Sequence, residues 1–248
     1  MTANKVDPRF VNIDPLRDAY RESIIVAPER FQKDQLERAA LLCIDLQYLD
    51  AAPGHGVFKD AEKAGVPLEA QAYYFDQLDR IVLPNVRRLQ DCFRDNDLEV
   101  IHIRIQSLTS DGRDRSAGHK RLGLHTAPGS KDAEILERVA PQGDEIVISK
   151  TTSGAFTSTT LAYVLGNLGI RSLYVTGVYT DECVSTTVRD ACDLGYFVTL
   201  VADGCTTVTE ERQKFTIGSL KDRYVRVVDT TTAIEDISSR LSRPASRT

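Results

Sequence analysis

Six short apolar runs, rich in Val, Ile and Leu, recur along these 248 residues, and most are followed by a stretch with helical spacing. A strand that must lie parallel to its neighbour needs a long crossover to reach it, and a helix is the usual crossover. This alternation predicts an α/β chain: a three-layer α/β/α arrangement around a six-stranded, parallel, doubly wound (Rossmann-like) sheet with helices on both faces. The runs lie at Arg38–Gln47, Leu98–Ile105, Glu145–Lys150, Arg171–Thr176, Tyr196–Val201 and Tyr224–Val228. Helical patterns are read at Gln77–Asn96, with Pro84 marking a kink, at Lys131–Val139, around Ser158–Leu168, at Glu210–Leu220 and at Thr231–Leu241. A further helix opens near Cys183, where Val184, Val188 and Ala191 share one face and Gly195 ends the pattern.

Residues 1–37 are polar and carry Pro8, Pro15 and Pro28, so they are read as an N-terminal arm, with 38–248 as the folded domain. The arm is either a loosely ordered terminus or a segment that packs on a neighbouring subunit of a homo-oligomer, a dimer or tetramer. The connection from Tyr48 to Ala72 is long for a compact domain and is expected to form a pocket wall or lid. The tail from Ser242 is expected to be mobile.

Composition narrows the function classes. A net charge of −5 gives no support to nucleic-acid binding or to a cationic membrane surface. No apolar run has the length of a membrane span, and no signal peptide is read at the N-terminus. The five Cys are scattered without Cys-x-x-Cys spacing, which argues against a disulfide framework and fits a reducing cytoplasm.

Three strand ends carry chemistry. Asp45 closes the first apolar run, Lys150 the third, and Cys183 follows the fourth across Gly177-Val178-Tyr179-Thr180-Asp181-Glu182. Ligands of open parallel sheets bind beyond the carboxyl ends of the strands. Thr180 or Asp181 is placed to cap the helix that holds Cys183 in its first turn, where free N–H groups favour a thiolate. Cys43, Cys92, Cys192 and Cys205 sit in apolar or helical surroundings and are read as structural.

Asp45-Leu-Gln47, then Lys150 with Phe156 and Leu161 downstream, then Gly177-x-x-Thr180-x-x-Cys183 together resemble the isochorismatase-like hydrolases, and among them the cysteine amidohydrolases. The resemblance runs from about Ala39 to Val228. It implies that the Asp45 strand lies beside the Cys183 strand. It also implies that Cys183 is the nucleophile, Asp45 the proton carrier and Lys150 their electrostatic partner. The oxyanion donors would be the backbone N–H groups of Tyr179 and Cys183, with a cis peptide at Val178–Tyr179.

Departures from the family pattern shape the substrate expectation. Nicotinamidase-like members hold a metal through an Asp-x-His pair after the second strand. Here that stretch reads Gln106-Ser-Leu-Thr-Ser-Asp-Gly-Arg113, so no metal and no other cofactor is expected. Isochorismatases proper lack the nucleophilic Cys. Tyr48-Leu-Asp50 stands where many members have Asn-Asp-Phe. The expected substrate is a small amide or ureide, such as a ureidoacid, biuret or an N-carbamoyl compound. A nicotinamide- or maleamate-type amide and a catalytically silent interaction protein remain as alternatives. Gln47, Gln106, Phe156 and Tyr179 are the expected substrate contacts. The basic stretch Arg113–Arg121 is either a solvated loop or a grip on a substrate anion.

Overall fold

The computed structural model describes residues 38–241, all within one compact unit, Asp34–Thr248. The N-terminal arm and the tail from Ser242 lie outside the described residues. In chain order the elements are β1 (Ala39–Ile44), α1 (Tyr48–Ala51), α2 (Leu68–Gln77), α3 (Leu83–Asp95), β2 (Glu99–Ile105), α4 (Ala117–Leu122), β3 (Ile146–Lys150), α5 (Leu161–Asn167), β4 (Ser172–Gly177), α6 (Ser185–Asp193), β5 (Phe197–Cys205), α7 (Glu210–Leu220), β6 (Arg226–Val228) and α8 (Thr230–Leu241). The six strands form one all-parallel sheet in the order β3-β2-β1-β4-β5-β6.

Side chains alternate across a strand, so each strand feeds two cores. Ala39, Leu41 and Cys43 of β1 face one layer, where Leu78, Val86, Leu89, Phe93 and Ile237 pack from α3, α8 and the turn before α3. Ala40, Leu42 and Ile44 face the other, against Leu161 and Leu165 of α5, Val184, Val188 and Ala191 beside and within α6, and Leu220 of α7. Every residue of β1 and β4 is buried, as two covered faces require. From β1 the chain moves outward to β2 and β3, then returns to the other side of β1 as β4. The reversal opens a crevice between the carboxyl ends of β1 and β4.

Two stretches differ from the sequence expectation. The connection after β1 contains α1, a 3-10 turn at Gly56–Phe58 and α2, which begins at Leu68 behind Pro67, nine residues before the expected Gln77. A π-turn at Leu78–Val82 joins α2 to α3 without a break in the helical backbone, and Pro84, which lacks an N–H for the ordinary ladder, sits just after that wider turn. Lys131–Val139 is not a helix: 3-10 turns at Lys131–Ala133 and Glu137–Val139 flank an extended piece. Ile135 forms a β-bridge with Gln47, Tyr48 N–H donates to Glu134 O at 2.9 Å, and Leu136 N–H donates to Leu46 O at 2.9 Å. Those long-range backbone bonds outweigh the local apolar spacing.

Candidate active site

Two backbone features bring the site together. Asp45 leaves β1 with φ 52, in the left-handed region that Asp tolerates better than most residues, while its N–H still donates to Ile103 O at 2.9 Å. Gly177 ends β4 with φ 122, and a Cβ there would lie 2.0 Å from Ile44 O. Only glycine lets the end of β4 press this closely on the end of β1. Val178 N–H then donates to Ile44 O at 3.0 Å, and the Val178–Tyr179 peptide is cis.

The helix start differs from the expected one. Thr180–Val184 form a wide π-turn, α6 begins only at Ser185, and Tyr179 precedes the turn with no side-chain cap. Asp181 does not cap; its carboxylate accepts from Thr207 and pairs with Arg212. Cys183 lies inside this widened turn, 6% exposed.

The structure places Asp45, Lys150 and Cys183 together. The Lys150 ammonium lies 2.8 Å from Asp45 Oδ2, 3.3 Å from Cys183 Sγ and 3.0 Å from Thr152 O. Its three N–H groups thus have three acceptors. Lys150 and Asp45 are fully buried. Burial alone disfavours the Lys150 charge, but the Asp45 carboxylate and the Cys183 sulfur outweigh it and hold the amine protonated. Burial raises Asp45 above the ordinary carboxylate range, and the Lys150 charge opposes this. Burial also raises Cys183 well above the usual thiol range; Lys150 opposes this while Asp45 and Asp50 add to it. Desolvation therefore opposes the thiolate expected at the helix start, and the Lys150 charge beside the sulfur favours it.

The expected substrate contacts are distributed unevenly. Gln47 is fully buried: its amide donates to Ile105 O at 3.0 Å and Asp132 O at 2.8 Å and accepts from Ile105 N at 2.5 Å. It clamps β2 and the loop before β3 to the end of β1, which leaves it no free donor for a ligand. Gln106 directly follows β2, its N–H donating to Lys150 O at 3.1 Å, and its side chain is half-buried. Tyr179 stands beside Cys183, its hydroxyl donating to Asp50 O at 3.2 Å and its ring 5.1 Å from that of Tyr74. Phe156 packs against the core layer that holds Cys183, with Tyr179 against the other, and its ring is stacked 5.8 Å from that of Tyr196. Tyr196 lies beyond the far end of α6, whose nine residues span about 13 Å.

Two further groups surround the trio. Asp50, on α1, is 6% exposed and lies within electrostatic reach of Lys150, Cys183 and Tyr179. His119, on α4, is buried, and its ring lacks a hydrogen-bond partner among the described residues. Burial first, then the nearby charges of Lys150 and Arg115, lower its pKa to about 4. An acid amid Tyr48-Leu49-Asp50-Ala51-Ala52 was a visible signal for Asp50, whereas His119 was hidden in its basic stretch. That stretch is largely occupied with itself: Arg115 donates to Gly112 O and Leu124 O, Arg113 pairs with Asp111, and Lys120 donates to Arg113 O. Among the described residues no three His, Cys, Asp or Glu side chains converge as metal ligands. No described helix is long and apolar enough to cross a membrane.

Comparison with known proteins gives a consistent set of similarities. The sequence profile of the isochorismatase domain matches residues 39–232. An N-carbamoylsarcosine amidase from an Arthrobacter species is 27% identical over 203 residues, which cover 79% of this chain and 70% of that protein. A ureidoacrylate amidohydrolase from Variovorax paradoxus is 40% identical over 81 residues, only 33% of this chain and 32% of that protein's length. Among solved structures, a cysteine hydrolase from Pseudomonas syringae pv. phaseolicola superposes with a TM-score of 0.69 at 20% identity, covering 84% of this chain and 96% of that one. At that identity the likeness speaks for the fold alone.

Proposed function

Because this chain belongs to the isochorismatase family, we propose that it is a cysteine-dependent amidohydrolase that cleaves a C–N bond of a small ureide or carbamoyl compound. The observation that carries this reading is one buried ammonium within reach of both a carboxylate and a thiol at the carboxyl ends of adjoining strands. The relatives named for carbamoylsarcosine and ureidoacrylate support the substrate class.

The chemistry follows from the three groups. As Cys183 Sγ attacks the carbonyl carbon, its proton passes to Asp45. Asp45 loses a charge as sulfur gains one, so the net charge beside Lys150 is unchanged during the transfer. Backbone N–H groups of Tyr179 and Cys183 are the donors for the developing oxyanion. The C–N bond then breaks, and Asp45 gives its proton to the departing nitrogen, which leaves as ammonia or an amine. Water attacks the remaining S-acyl (for a ureide, S-carbamoyl) enzyme, Asp45 takes a proton from it, and the thiol is restored when that proton returns to sulfur.

Ammonia release from a panel of biuret, N-carbamoyl amino acids, a ureidoacid, nicotinamide and maleamate tests the reading. Wild type is expected to turn over ureides in preference to the other amides, and Cys183→Ala to turn over none. Full activity in Cys183→Ala would sink the mechanism. A clear preference for nicotinamide would overturn the substrate class, and silence across the panel would favour a binding role.

A further inference from the structure

Asp50 has no role in the reaction above, yet it is built into the same crevice. It lies on α1, one short turn beyond Gln47, and its carboxyl is more than nine-tenths buried. Among the described residues its Oδ2 has no hydrogen-bond partner. Its backbone is held firmly: the Tyr74 hydroxyl donates to its carbonyl at 2.8 Å and the Tyr179 hydroxyl at 3.2 Å. A buried polar atom without a partner is costly unless a ligand or ordered water supplies one. The titratable groups that act on it are Asp45, Lys150, Glu182 and Asp132, so it lies near the reacting groups.

Resting on the amidohydrolase reading, we infer that the Asp50 carboxyl recognises the half of the substrate that is not cleaved, closing a ring of two hydrogen bonds with adjacent C=O and N–H groups of an uncharged ureide. A carboxylic acid offers an O–H donor and a carbonyl acceptor side by side, the complement of a cis amide or ureide edge. An ionised carboxylate offers acceptors only. Burial first, and then the Asp45 charge, push the Asp50 pKa well up and favour the neutral acid. The same surroundings work against a carboxylated ureide. Asp132 and Glu182 add negative charge near Asp50, Lys150 is already committed to Asp45, and Arg113, Arg115 and Lys120 of the 113–121 stretch bond to their own loop. The substrate selected is thus neutral and bears a second amide edge beyond the scissile carbamoyl group.

The test measures kcat and KM of the full chain and its Asp50→Asn and Asp50→Leu variants on biuret, which is neutral, and on N-carbamoylglycine, which is anionic. Wild type should favour biuret by about a hundredfold in kcat/KM, and Asp50→Leu should raise KM for biuret by about as much, since it deletes both hydrogen bonds. Asp50→Asn should stay within about tenfold of wild type, because its amide also presents a donor beside an acceptor. Circular dichroism checks folding, and Asp50→Ala replaces the Leu variant if that chain does not fold. Asn as damaging as Leu would mean that Asp50 acts as an anion, and the inference is overturned. An unchanged KM in Asp50→Leu, or a wild-type preference for N-carbamoylglycine, overturns it too while leaving the hydrolase reading standing. A wild type inert to every ureide but active on another amide sinks both.

Discussion

Burial raises the proton affinity of both Cys183 and Asp45, and this sets how activity should depend on pH. In the proposed mechanism the reactive state needs Asp45 ionised and the sulfur able to release its proton to it. Because the Asp45 pKa is raised, kcat/KM should fall on acidification at a pH above the ordinary carboxylate range; a pH–rate profile with its acid limb at or below pH 4 would contradict this. Asp45→Asn should lose about a hundredfold or more in kcat while keeping its fold. Lys150→Met should lose as much activity and also stability, because Asp45 is then buried without its partner; about 3–5 kcal/mol by chemical denaturation is expected. His119 predicts a second pH effect, on stability alone. Its folded pKa of about 4 lies below the ordinary 6.5, so the folded chain resists protonation that the unfolded chain accepts. The stability it contributes is fully present above pH 6.5 and is lost as pH falls towards 4, with a slope of up to about 1.4 kcal/mol per pH unit. His119→Phe should flatten that part of the curve in denaturant melts from pH 7 to pH 4, and an unaltered slope would show that the ring does not titrate as described.

At the scale of elements, the ends of the strands position the site more than the strands do. Gln47 ties β1 to β2 and to the loop at Asp132, so Gln47→Leu should strand the buried Ile105 N–H and cost about 1–3 kcal/mol in equilibrium unfolding. A loss of kcat with little change in KM should accompany it, since Asp45 lies two residues away. Much of this layer was legible in the sequence. α7 spans Glu210–Leu220 as read, because Thr209 caps it by accepting from Arg212 N–H and the pattern before it is unbroken. The strands were legible because two-sided burial writes continuous apolar runs. The segment at Lys131–Val139 was not, because its conformation is set by Gln47 and Leu46, far away in the chain. The trio of Asp45, Lys150 and Cys183 was legible as strand-end chemistry. His119 was not, because nothing in its basic stretch tells a buried ring from an exposed one. The surroundings of Phe156 were not legible either, because they are set by long-range packing: Ala155 N–H donates to the Thr187 hydroxyl at 3.1 Å and the Phe156 ring stacks on Tyr196.

Over the whole molecule, stability is graded across the sheet. β1 and β4 are central and wholly buried, while the edge strands β3 and β6 have partly exposed residues and β6 is three residues long. Native-state hydrogen exchange should find its slowest amides in β1 and β4 and its fastest strand amides in β6; equal protection across the sheet would contradict this ordering. The join between β1 and β4 also governs when chemistry becomes possible. The Thr176 hydroxyl donates to Leu42 O across 134 residues of chain, and the carboxylate and the sulfur sit just past those two residues. Synthesis must therefore pass through β2, β3 and β4 before the strand bearing Asp45 can pair with β4. Until then the growing chain holds an ordinary thiol and an ordinary acid far apart. If the proposed chemistry holds, reactivity towards amides arrives only with the pairing of β1 and β4, and a product stalled before β4 should be inactive.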